Sequence, residues 1–163
     1  MRKKAQGLEV IIILVSYSVC LWLTLVQLPI WFNPYRPEWY LLWLIFWSWK
    51  LPNQISLVFT WILGLLLDSL LDAPLGQYAV VFVLVVYLTS HFRNIGRLYS
   101  VQQQMPYVFL ILLIGQCLIF AVHALYHQFI PLRHLIGQAI LSTLIWPVFA
   151  AVLVASHQTI KKF

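Results

Sequence analysis

Few side chains in this sequence could do chemistry, and most of them lie inside apolar runs. The carboxylates are Glu9, Glu38, Asp68 and Asp72. Asp68 and Asp72 are four residues apart, with Gly64 four residues earlier, a spacing that puts all three on one stripe of a helix. A carboxylate within an apolar run must be neutral, paired, or able to reach headgroup water. Asp68 is therefore read as a buried polar contact or a cation or proton site, or else as a group at the membrane interface. Gly64 permits another helix to approach closely. On this reading Asp68→Asn is expected to be mild, because an amide keeps a donor and an acceptor.

Other constellations promise less. His123 and His127 share a helical face, but two imidazoles without a nearby thiol or carboxylate make a poor zinc site. Cys20 and Cys117 sit in apolar runs and give neither a disulfide framework nor a metal spacing. There is no HExxH, glycine-rich phosphate loop, CxxC or serine nucleophile elbow. The residues predict no enzyme, no metal and no cofactor. Ser16, Ser18 and Thr24 read as hydrogen bonders between helices. Trp39, Trp43 and Trp47 recur every four residues, a stripe that could dock a partner helix or anchor in a lipid interface.

The elements that carry these residues are apolar runs at about 8–28, 37–51, 55–71, 75–90, 105–126 and 135–155. They are continuously apolar and too few for a closed barrel, so helices are expected. The second run is short for a roughly 30 Å hydrocarbon core. The first follows Arg2, Lys3 and Lys4 but exceeds a signal-peptide core and lacks a small-residue cleavage site, so it is read as a retained helix. Composition agrees: 63% of residues are hydrophobic and 9% charged, against about 25% charged in globular proteins. The length suits a single membrane domain, residues 1–163. The net charge of +6 is scattered between runs with no basic stripe, which argues against nucleic acid and for a topology signal. With the N-terminus inside, Arg2, Lys3, Lys4, Lys50, Arg93, Arg97, Lys161 and Lys162 face the cytoplasm, while Arg36 and Arg133 face outward. That bias predicts six transmembrane helices, both termini cytoplasmic, in a polytopic all-α protein of a bacterial inner membrane.

Several short motifs, taken in order, resemble the MreD family of rod shape-determining proteins, enterobacterial type. Arg36-Pro37-Glu38-Trp39 opens the second run and Leu51-Pro52-Asn53 closes it. Gly64-Leu65-Leu66-Leu67-Asp68 precedes Pro74-Leu75-Gly76, and Leu144-Ile145-Trp146-Pro147 lies in the last run. The resemblance covers nearly the whole chain. It implies a noncatalytic scaffold of lateral cell-wall elongation needed for rod shape, with a six-helix arrangement similar to the substrate-binding components of energy-coupling-factor transporters. It also implies partners: the bitopic protein MreC and, through it, actin-like MreB, the glycan polymerase RodA and its partner transpeptidase; membrane lipids are the further partner expected of this chain. The positions matching the family pattern are Arg36, Pro37, Trp39, Gly64, Asp68, Gly76, Trp146 and Pro147; Trp43 joins them as a candidate for partner binding or helix packing. Glu38 is set aside as a position where relatives carry other polar residues. The transporter likeness supplies the second hypothesis, a small-molecule-binding membrane component in which Asp68, Gln77 and Gln116 line a cavity.

Overall fold

A computed structural model describes residues 2–26, 36–52, 54–92, 100–125 and 131–161. Among these the chain forms six helices: α1 (Arg2–Leu25), α2 (Trp39–Lys50), α3 (Leu57–Leu70), α4 (Gln77–His91), α5 (Val101–Leu125) and α6 (Leu132–Lys161).

The short helix α2 is the centre of the bundle. Every residue from Tyr40 to Trp49 is buried, and α1, α4, α5 and α6 all pack against it. A helix that is apolar all round is one that must be covered all round, and here the cover is protein. Polar ties fix the outer helices to this core. The Trp43 and Trp47 indoles both donate to the Ser16 hydroxyl, at 2.8 and 3.1 Å, joining α2 to α1. Trp49 Nε1 donates to the Thr89 carbonyl on α4 at 3.1 Å. The Tyr17 hydroxyl of α1 donates to the Leu63 carbonyl of α3 at 2.8 Å.

The six-span expectation is corrected by these helix lengths. Among the described residues only two helices, Val101–Leu125 and Arg133–Ser156, are long and apolar enough to cross a membrane. The helices α2, α3 and α4 have 12, 14 and 15 residues, or about 18–22 Å at 1.5 Å per residue, short of a roughly 30 Å core. The apolar part of α1, Val10–Leu25, is also in the short class. The cation count followed apolar runs, and such runs do not distinguish a helix that crosses lipid from one buried in protein. The transporter-component arrangement expected along with six spans goes with that correction.

The two long helices differ from the core helices of a soluble protein in what they show outward. Only 33% of the most apolar stretch of each is buried inside the chain. On α6 the exposed large side chains are Ile136, Ile140, Leu144, Val148 and Val152, one stripe at i, i+4 spacing. Val58, Ile62, Leu66 and Leu70 form a second exposed stripe on α3. Apolar faces of this extent require a partner or lipid.

Candidate functional site

Two features gather the polar residues: the joint between α3 and α4, and a cavity where several helix ends meet. The joint is built around Gly64 and Asp68. At Gly64 the backbone of α4 comes so close that an added Cβ would lie 2.4 Å from Ala79 Cα. Asp68, fully buried, accepts the Gly76 N–H at Oδ2 (2.8 Å) and the Tyr78 N–H at Oδ1 (2.7 Å). Gly76 is the N-cap of α4 and has no side chain to cap with, so Asp68 caps α4 from the neighbouring helix. The first N–H groups of a helix lack intrahelical partners, and a carboxylate there also meets the positive end of the helix dipole. Asp68 is thereby a structural cap.

The turn between these helices follows from its residues. Asp72 has φ +50° and Gly76 φ +97°; the left-handed region is tolerated by Asp and favoured by Gly. The Ala73 N–H donates to the Asp68 carbonyl at 3.0 Å, the long-range bond of a Schellman ending. Because α3 ends at Leu70, Asp72 is exposed and leaves the Gly64–Asp68 stripe.

The cavity has a volume of about 300 Å3 and is lined by the segment before α2 (Arg36, Pro37, Glu38) together with Tyr40, Tyr78, Gln116 and Gln138, among others. Its walls come from the end of α1, the starts of α2, α4 and α6 and the last turns of α5, so it lies at one end of the bundle. Glu38 is buried, 7% exposed. Its backbone N–H donates to Ser142 Oγ at 3.0 Å. Gln116 Nε2 donates to Glu38 Oε1 and also to Gln138 Oε1 at 3.1 Å. Glu38 Oε2 is buried with no hydrogen-bond partner. Arg36 donates through Nη2 to the Val26 carbonyl, while its Nε is buried and unpartnered. A neighbouring recess of about 440 Å3 is lined by Asp72, Gln77 and His123.

The structure distributes the singled-out residues as follows. Arg36, Pro37 and Gln116 meet at the cavity; Gln77 lies beside it and Asp68 lines neither recess. Trp43 is buried in the core against Tyr17, with ring centroids 4.8 Å apart. Trp39 is half-buried beside Phe149 and lines an apolar groove of about 520 Å3 between α1 and α6. Trp146 packs inside against Phe46 and Trp49, its Nε1 unpartnered, and Pro147 lies within α6. Of the three hydroxyls expected to join helices, Ser16 does so, while Ser18 and Thr24 donate to the carbonyls of Leu14 and Cys20 in their own helix. His127 lies outside the described residues. Glu38 is the residue that sequence reasoning passed over. Its signal was a carboxylate set beside a proline at the head of a run with no further charge before Lys50.

Among the described residues, no group of three or more His, Cys, Asp or Glu could hold a metal ion. The fold and its polar features define a helical, membrane-associated protein with outward apolar faces and polar recesses at one end of the bundle. Comparison with known proteins gives the family. The model for rod shape-determining protein MreD matches residues 2–155. The rod shape-determining protein MreD of Haemophilus influenzae is 32% identical over 136 residues, covering 83% of each chain. The chain belongs to the MreD family. No solved structure matches it.

Proposed function

We propose that this protein is a noncatalytic membrane component of cell-shape determination, a scaffold in the lateral wall-elongation machinery. The family match over residues 2–155 carries this reading. It is supported by the apolar stripe on α6 and the groove between α1 and α6, which offer surface to lipid and to other membrane helices. The partners that follow are the bitopic MreC and, through it, MreB, RodA and its transpeptidase. The candidate contact residues sort by position. Trp39 stands at the groove, Trp43 and Trp146 pack the helices that present it, and Gly64 and Asp68 join α3 to α4. A single membrane domain in the inner membrane with both termini cytoplasmic agrees with basic Arg2, Lys3, Lys4, Lys161 and Lys162.

The test is co-purification of the tagged chain with MreC from membranes, alongside assays of the pure protein in liposomes. Specific recovery of MreC, with no turnover of a wall precursor by the chain alone, is expected. Turnover by the pure protein would overturn the scaffold reading. A small-molecule-binding component of a transporter is the second reading, favoured by the polar cavity at Glu38 and Arg36; solute uptake into the same liposomes would support it in place of the scaffold.

A further inference from the structure

Two groups of opposite charge type face one cavity, and each has a polar atom buried without a partner: Arg36 Nε, a donor, and Glu38 Oε2, an acceptor. Their placement follows from the chain. Arg36 precedes Pro37 in the segment that leads into α2, and Glu38 is the N-cap of that helix, held in a γ-turn that the Trp39 N–H closes on the Pro37 carbonyl at 3.1 Å. Pro37 is the single residue between them.

Both groups are also held in position before any ligand arrives. Gln116 fixes one oxygen of Glu38 and is itself oriented by Gln138. The Val26 carbonyl fixes one amino group of Arg36. A buried polar atom left unpaired is costly, and a small shift of side chains whose other polar atoms are already held would let a ligand pair with both.

The charges select what fits. Burial pushes the Glu38 carboxyl up to about 7, with the Tyr40 hydroxyl and Gln116 acting against that shift, so an ammonium would favour its charged form. A lone anion on Arg36 would share the cavity with that carboxyl, and a lone cation on Glu38 would share it with the guanidinium. A neutral apolar molecule would leave both atoms unpaired. The volume of about 300 Å3 is at the low end for small-molecule sites, suited to a headgroup-sized molecule. We propose that this cavity binds a compact zwitterion, with its anionic group on Arg36 and its primary ammonium on Glu38. The ligand is a free molecule or the headgroup of a zwitterionic phospholipid, and the site stands whether or not the scaffold reading does.

Phosphoethanolamine is the probe, with ethanolamine and inorganic phosphate as its separate halves. The full chain in detergent should show a saturable rise in Tm with phosphoethanolamine, with each half binding at least tenfold more weakly. Glu38→Gln and Arg36→Gln, checked for helix content by circular dichroism, should each lose at least tenfold in affinity. The comparison of zwitterion with halves on the unaltered chain decides the matter even if a variant fails to fold. Native mass spectrometry from nanodiscs separates the sources. Phosphatidylethanolamine retained over phosphatidylglycerol, and displaced by phosphoethanolamine, identifies a lipid headgroup; phosphoethanolamine binding without retained lipid identifies a free ligand. Equal binding of one half alone, undiminished affinity in folded Glu38→Gln, or neither saturable binding nor retained lipid would overturn the proposal.

Discussion

Gly64→Ala places a methyl group where α3 and α4 touch backbone to backbone. The new Cβ would meet Ala79 Cα at 2.4 Å, Ala79 N at 2.7 Å and Tyr78 C at 3.0 Å, where non-bonded carbons settle near 3.5–4.0 Å. No rotamer change relieves a clash with backbone, so α4 must move outward by about 1 Å. Overpacking of this kind costs about 1–3 kcal/mol. The same movement stretches the two bonds from Gly76 and Tyr78 to Asp68, and losing one charge-assisted bond costs a further 1.5–3 kcal/mol or so. The helix propensity of alanine returns about 1 kcal/mol. The net loss is therefore roughly 1.5–5 kcal/mol, a large share of the roughly 5–15 kcal/mol that holds a domain folded. Gly115→Ala is the control. Its Cβ would meet only side-chain atoms, Leu41 Cδ1 at 3.4 Å and Val81 Cγ1 at 3.5 Å, so it should stay within about 1 kcal/mol of the parent. Both variants would be unfolded by denaturant in micelles and followed by tryptophan fluorescence. A Gly64→Ala protein within about 1 kcal/mol of the parent, or no less stable than Gly115→Ala, would refute the close-packed joint.

Asp68→Asn should cost about 1.5–3 kcal/mol in the same assay, because one of two backbone donors would face an amide that also donates; the mild effect expected from sequence is reversed by these contacts. Ser16→Ala removes the acceptor of the buried Trp43 indole, which Trp47 shares, and should cost about 1–3 kcal/mol for the Trp43 donor, with a shift in tryptophan emission; unchanged stability would mean that this indole finds another acceptor. Leu144→Lys, on the exposed stripe of α6 near the middle of the crossing segment, should reduce abundance in the membrane fraction, since insertion scales place a central lysine at about 2.5–3.5 kcal/mol. Normal abundance would place that stripe in water.

The positions of the helices were largely legible. The run at 37–51 became Trp39–Lys50 and the run at 55–71 became Leu57–Leu70. Which helices cross a membrane was not legible, because Tyr40–Trp49 is as apolar as a lipid-facing segment yet is enclosed by protein. The spacing of Gly64 and Asp68 put them on one helix face, and both are buried in the structure, Gly64 against the α4 backbone. The partners of Asp68 come from α4, across a turn whose left-handed residues bring Gly76 back toward it, and no periodicity encodes that return. The cavity depends on longer-range meetings still: Glu38 with Gln116 and Ser142. Residues that distant in sequence meet only when the whole bundle forms.

The most direct measurement of the central claim is complementation in a rod-shaped bacterium depleted of its own MreD relative. Cell width and length would be measured by microscopy, and the chain quantified in the membrane fraction. The chain should restore rods from rounded cells, with the Glu38→Gln and Gly115→Ala proteins present in the membrane as abundance controls. Cells that stay rounded, with the unaltered chain in the membrane at normal abundance, would contradict a role in cell-shape determination.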